Sequence, residues 1–391
     1  MKRVVIIGGG YAGMMAAARL SRFKNAHVSL VDQRRAFVQR VRLHELLAGS
    51  QTPEFPYAPA LAQRGIAFTQ AAVEGILPER QEIVLRSASR SERLGYDRLL
   101  IALGSSTGAD LPGVCEHTLR LDNPKLIRSQ QARLRELAGR GGRVLVVGSG
   151  LTGIEVASEL ATRLTGLKVT MASRGSFAAG YSPDTQAYLR DVFARAGISL
   201  VEQVAIQAVS EGRAHLSDGR ELAFDVCVWT GGFKAPALLR DMGLVVDSLG
   251  RAYVTPELHV PGDPSIFIAG DSAAFGEAGC TIRTGCATAM PMGVQAAANL
   301  CAQLENKAMR AHTFAFTAQA ISLGRKEGLV YKLDPQGRLS EPMLVGRAGA
   351  FVKAAIIGWT WLSVQYDRRY GLPIFAWPGG GNWWGYTELA Q

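Results

Sequence analysis

The sequence predicts an α/β chain of two strand–turn–helix–strand units with a further region after them, on the strength of three observations. Apolar runs at Val4–Ile7 and Val144–Val147 each lead into a glycine-rich turn and then a helical pattern. The turns read Gly8-x-Gly10-x-x-Gly13 and Gly148-x-Gly150-x-x-Gly153, 140 residues apart. Beyond about Ala311 the periodicity weakens, and five of the six tryptophans fall in the last 33 residues. With 391 residues, 48% of them hydrophobic and 19% charged, the chain is globular and long enough for two or three domains.

The first unit runs from the strand Val4–Ile7 through its turn to a helix over Ala12–Phe23 and a second strand, Val28–Val31. A buried parallel strand reads as such a short apolar run. In the turn the first glycine permits the tight bend. The second lets the backbone approach a pyrophosphate, and the third lets helix pack on strand. Tyr11 and Ala12 lie between the second and third glycines, where the free N–H groups of a helix start receive an anion. Asp32, followed by Gln33, ends the second strand 19 residues after Gly13, where a carboxylate can accept ribose hydroxyls. This is the Rossmann arrangement for a dinucleotide.

The second unit repeats it, with Leu151 and Thr152 inside the turn, a helix over Ile154–Leu164 and a strand over Lys168–Ala172. The position matching Asp32 is Ser173, followed by Arg174. An acid there favours NADH through the ribose 2′-hydroxyl, whereas serine and arginine suit the 2′-phosphate of NADPH, so the reading leans to NADPH. Gly231 follows a later apolar strand, Val226–Trp229, and completes the candidate nucleotide contacts.

Composition narrows the partners. The formal charge is +10, but no Lys/Arg run with interleaved aromatics appears, so nucleic acid is not expected. Five sparse cysteines without CxxC or zinc spacing point to a reducing cytoplasm and to no metal site. The opening strand has no secretory pattern ahead of it, and no run reaches the ~18 apolar residues of a membrane span.

Further segments make a resemblance specific. Tyr96–Ser105 (YDRLLIALGS), containing Ala102 and Gly104, is similar to the linker motif of the two-dinucleotide-binding-domain flavoproteins, the pyridine nucleotide-disulfide oxidoreductase superfamily. Ser265–Asp271 (SIFIAGD) resembles that superfamily's distal FAD motif, with Gly270 and with Asp271 as the aspartate that bonds the ribityl chain. The resemblance implies that the first fingerprint holds FAD and the second an exchangeable NADPH or NADH. It implies an FAD domain at 1–108 and 236–310, an NAD(P)H domain inserted at 109–235, and a C-terminal region at 311–391. Gly153-Ile154-Glu155 resembles the motif whose glutamate lies near the nicotinamide; the other reading of Glu155 is a first-turn carboxylate favourable to the helix dipole.

The segment Phe37–Gly49 lacks the cysteine pair of the disulfide reductases; Cys280 and Cys286 read as small buried thiols, the other reading being a catalytic pair resembling that of the sulfide:quinone oxidoreductases. The type II NADH:quinone oxidoreductases and their ferroptosis-suppressor-like relatives fit better. Cys286–Leu300 resembles the helix that this branch places under the flavin, although Pro291 replaces a glutamine and only Gln295 is kept. A helix over Gly293–Leu304 would put Met292 against FAD. The resemblance implies hydride transfer from NAD(P)H to FAD and two electrons onward to a quinone-like small molecule. A soluble biosynthetic oxidoreductase or oxidase, and a redox-sensing flavoprotein without turnover, remain alternatives. Residues 307–391 hold ten Lys/Arg against five Asp/Glu, and Phe351–Tyr370 mixes apolar residues with Lys353, Arg368 and Arg369. Two readings stand for this stretch: an interfacial helix on the inner face of the cell membrane, or a cover for the FAD domain or a homodimer contact. His44-Glu45 are neighbours whose side chains diverge on a helix, and they read as structural.

Overall fold

The computed structural model describes residues 1–87, 90–275, 283–334, 337–370 and 377. A six-stranded sheet has the order His259–Val260, Asp263–Ile268, Arg98–Ile101, Lys2–Ile7, Ala26–Asp32, Ala67–Gln70. Lys2–Ile7 pairs in parallel with both Ala26–Asp32 and Arg98–Ile101, and Asp263–Ile268 joins in parallel on the far side of Arg98–Ile101. Strands covered on both faces need continuous apolar side chains, and Ile6, Ile7, Leu100, Ile101, Phe267 and Ile268 are all fully buried.

A second, five-stranded parallel sheet has the order Leu119–Arg120, Val226–Trp229, Arg143–Val147, Lys168–Ala172, Ser199–Val201. The chain therefore leaves the first sheet after Arg98–Ile101, builds the second, and returns to the first at His259–Val260 and Asp263–Ile268. A three-stranded antiparallel sheet follows (Ala318–Ser322, Gly328–Leu333, Leu339–Val345), and the 25-residue helix Gly346–Tyr370 packs against it.

The helix Tyr11–Leu20 is buried at every residue except Arg19, because the helix Cys286–Leu304 lies directly on it. The crossing requires a glycine: a Cβ on Gly293 would lie 2.2 Å from the Ala12 carbonyl oxygen. The helix was expected to begin near Gly293 and in fact begins at Cys286, with Pro291 inside it. Proline removes one N–H from the ladder. Here packing along Tyr11–Leu20 outweighs that loss, so Pro291 does not mark the start.

The helix Gly346–Tyr370 turns Ile357, Thr360, Ser363, Val364 and Asp367 inward. Trp361 packs on Phe37 and Phe55, the Arg368 guanidinium lies 4.4 Å over the Phe55 ring, and Asp367 pairs with Arg19 at 3.3 Å. Phe351, Ile356, Trp359, Leu362, Tyr366 and Tyr370 point outward at helical spacing and stay exposed. Of the three basic residues expected to flank an interfacial helix, Lys353 and Arg368 are turned onto the protein. Among the described residues no helix is long and apolar enough to cross a membrane.

Candidate functional site: one cavity between two fingerprints

A cavity of about 620 Å³ lies outside the carboxyl ends of Lys2–Ile7, Arg98–Ile101 and Asp263–Ile268 and reaches across to the second sheet. Ligands of open α/β sheets bind at such a point, where strand order reverses. Gly10, Tyr11, Ala12, Ala102, Gly104, Gly270 and Asp271 line it from the first unit, and Gly150, Leu151, Thr152 and Glu155 from the second.

Three helices start at its wall. The N-caps of Tyr11–Leu20, Leu151–Arg163 and Cys286–Leu304 are Gly10, Gly150 and Gly285, and none has a side-chain cap. All three glycines line the cavity. The first N–H groups of each helix are thus left for a ligand, and the helix dipoles add positive potential there. A Cβ on Gly10 or Gly150 would touch nothing of the protein within 4 Å, so the space beside them is free for a pyrophosphate. Gly13 and Gly153 work differently: a Cβ on either would sit 1.9 Å from the carbonyl oxygen of Gly8 or Gly148. Gly8 and Gly148 take φ of +98° and +106°, which glycine alone adopts cheaply. These four glycines shape the turns and do not line the cavity.

Asp32 lies behind the turn, 6% exposed. Its Oδ2 accepts from Gly9 N–H at 2.7 Å and Arg34 Nη2 at 3.0 Å, and its Oδ1 from Arg34 N–H and Nε at 2.7 and 3.1 Å. A carboxylate offers about four lone-pair directions. All are taken, so ribose hydroxyls reach Asp32 only as Arg34 yields. Gln33 is exposed, and its carbonyl accepts from Gln70. Asp271 faces the cavity, with Oδ2 accepting from Ser105 Oγ at 2.8 Å and Oδ1 from Gly285 N–H at 2.9 Å.

On the second unit the Ser173 hydroxyl is buried and donates to the Gly175 carbonyl at 2.7 Å, while Arg174 is exposed. Gly231 accepts from Trp229 Nε1 through its carbonyl. Met292 does not line the cavity. The earlier helix start puts it nearly two turns in, 1% exposed in the core, and leaves Cys286 and Ala289 facing the space instead. Gln295 bonds Asn299 and the Arg310 carbonyl. Burial pushes the Cys286 thiol up to about 11. Cys280 lies outside the described residues.

Glu155 is more than a first-turn carboxylate. Its Oε1 is 2.8 Å from Lys353 Nζ and accepts from Ser322 N–H at 3.0 Å, and its Oε2 is 3.8 Å from His44 Nδ1. Burial works against its charge, but Lys353, His44 and these hydrogen bonds outweigh it and hold the carboxyl below the ordinary range. His44 and Lys353 both line the cavity. In the sequence His44 reads as structural and Lys353 as a basic flank of an outer face. A lone lysine inside the apolar stretch Phe351–Ile357 was the available signal. Arg40 also lines the cavity; burial lowers its pKa against the opposing pull of Asp271, and Nη1 donates to the Ser105 carbonyl at 2.7 Å.

Two parallel sheets, each with a glycine turn facing one shared cavity, define a flavoprotein oxidoreductase architecture. The family model of pyridine nucleotide-disulphide oxidoreductases matches residues 2–299, and the chain belongs to that family. It is 31% identical over 360 residues to an NADH dehydrogenase-like protein of Mycobacterium tuberculosis, covering 85% of this chain and 88% of that protein. It is 26% identical over 378 residues to a type II NADH:quinone oxidoreductase of Haemophilus influenzae, covering 83% and 85%. The sulfide:quinone oxidoreductase of Aquifex aeolicus superposes with a TM-score of 0.81 at 19% identity, covering 94% of this chain and 92% of that one. The chain is an FAD-dependent NAD(P)H oxidoreductase of the branch expected from its sequence.

Proposed function

We propose that the chain takes hydride from NAD(P)H, with NADPH preferred, and delivers two electrons through FAD to a quinone. The observation that carries this reading is the cavity into which both fingerprints and Asp271 open. When bound, FAD supplies the two-electron chemistry. The residues fit it: the uncapped helix start at Gly10–Gly13 would hold the pyrophosphate, Asp32 the adenosine ribose and Asp271 the ribityl chain, with Ala102 and Gly104 beside them. The second fingerprint would hold NAD(P)H through the helix start at Gly150–Gly153, with Glu155 near the nicotinamide. The exposed Arg174 would meet a 2′-phosphate, which supports NADPH. The domain division at 108, 235 and 310 belongs to the same reading, and the strands of the two large sheets agree with it.

The relatives' names support a quinone, and the exposed stripe from Phe351 to Tyr370 supports contact with the surface of a membrane. Anaerobic titration of the flavin-loaded protein with NADPH and with NADH, followed by ubiquinone-1, menadione and oxygen, tests the core of the reading. Bleaching by neither nucleotide overturns it. Bleaching without faster reoxidation by either quinone than by oxygen overturns the quinone assignment. Flotation with anionic liposomes should be lost in Phe351→Ser/Trp359→Ser/Leu362→Ser, and equal flotation removes the membrane assignment.

A further inference from the structure

The cavity has a third wall that neither fingerprint supplies, formed by Tyr181, Arg283, Gln319 and Leu339 with Lys353 beside them. Gln319 sits on the antiparallel strand Ala318–Ser322, and Tyr181 follows the second ribose position by eight residues. Their polar atoms form a directed chain. The Arg283 guanidinium donates to Gln319 Oε1, and Gln319 Nε2 donates to the Tyr181 hydroxyl oxygen at 3.0 Å. The Tyr181 oxygen is the acceptor in that bond, and its own hydrogen finds no acceptor among the described residues. The ring is held edge-on at 5.5 Å against the buried ring of Tyr331, whose hydroxyl bonds Ser182 Oγ. Each bond in a chain anchored on a cation polarises the next, so the terminal O–H is a strengthened donor. Burial pushes Tyr181 up to about 12, so it keeps this hydrogen at physiological pH.

From the helix Cys286–Leu304 only Cys286 and Ala289 bring side chains to the cavity, a thiol and a methyl. A quinone carbonyl needs a donor and has no hydrogen to give. We propose that Tyr181 is the acceptor-binding residue, donating its hydroxyl hydrogen to a carbonyl oxygen of a quinone-class ring, with Gln319 and Arg283 as positioning residues. This rests on the quinone reading above. The carbonyl of the oxidised ring accepts more strongly than the phenolic oxygen of its reduced form, so the same donor favours substrate over product.

The test uses flavin-loaded Tyr181→Phe and Gln319→Leu, with flavin content and thermal midpoint measured first. Tyr181→Phe should leave the anaerobic bleaching rate and the nucleotide KM within about twofold of the parent. It should weaken binding of ubiquinone-1 to the oxidised protein, read from protein fluorescence, by roughly fivefold to tenfold, the worth of one hydrogen bond. Gln319→Leu should move the same quantity less, and the double variant should be no weaker than Tyr181→Phe. Unchanged ubiquinone-1 binding in Tyr181→Phe overturns this proposal alone. A changed nucleotide KM with unchanged quinone binding also overturns it and assigns Tyr181 to the nicotinamide. A parent protein that NAD(P)H bleaches but neither ubiquinone-1 nor menadione reoxidises overturns the quinone reading and this proposal together.

Discussion

In the first fingerprint helix every residue from Tyr11 to Leu20 but Arg19 is buried, whereas the second leaves Leu151 39% exposed and is followed, one strand later, by the exposed Arg174. The two turns have nearly the same backbone: each third glycine sits 1.9 Å, as a Cβ, from the oxygen of its first. What differs is the surroundings. A second helix lies on Tyr11–Leu20, and Asp271 and Ser272 are tied to Ser105 and Gly104 across it. Leu151–Arg163 is met instead by the short helix Leu43–Leu47 and the strand Ala318–Ser322, and Leu151 at its start stays exposed. The same motif thus makes an enclosed site where a later helix runs along it and a more open one where a short strand meets it. A cofactor that stays bound suits the first, and one that exchanges suits the second.

The strongest way to break this comparison is to damage both turns identically. Gly13→Ala should yield protein that is flavin-free or insoluble, because the displaced helix carries the core with it. Gly153→Ala should keep flavin absorbance and raise the NAD(P)H KM by roughly a hundredfold, the cost of about 1 Å of misplacement. Flavin loss in both variants would contradict the asymmetry.

Glu155 sharpens it next, since this residue joins the open site to the long helix. Glu155→Gln leaves the partly buried Lys353 with the Ala320 carbonyl but no carboxylate, and should cost about 2 kcal/mol in denaturant unfolding. The lowered pKa fixes the pH sign. Between its ordinary value of 4.5 and the lower folded value, the unfolded chain binds more protons than the folded one. The pair's contribution is therefore complete above that range and lost as pH falls through it. Glu155→Gln should remove this part of the acid sensitivity, and an unchanged acid limb would refute it.

The smallest effect expected is on coenzyme choice. Ser173→Asp with Arg174→Ala should shift the ratio of kcat/KM for NADPH over NADH downward by about tenfold, near 1.4 kcal/mol. An unmoved ratio would detach Arg174 from the 2′-phosphate.

Much of the open and enclosed sites was legible in the sequence because a fingerprint is local. Gly8 to Asp32 and Gly148 to Arg174 each hold their chemistry within about one βαβ unit of chain, where spacing dictates position. The start of the helix Cys286–Leu304 was not legible, since local propensity reads Pro291 as a boundary. Only the contact between Gly293 and Ala12 shows why the helix continues through it. Lys353 read as a surface charge for a similar reason: neighbours in sequence describe a helix face but not what that face meets.

The sequence by itself determined the two parallel units, their glycine turns, the acids Asp32 and Asp271, and the absence of an acid at Ser173. Tertiary structure decided that Glu155 meets Lys353, that His44 faces the cavity, and that Arg283, Gln319 and Tyr181 form a chain ending at the Tyr181 hydroxyl. The physical reason is the range of the interactions. Backbone turns and strand periodicity are set by residues a few positions apart. The ion pair of Glu155 and the hydrogen bond from Gln319 to the Tyr181 hydroxyl join residues more than a hundred positions apart, and they exist only once sheets and helices have packed.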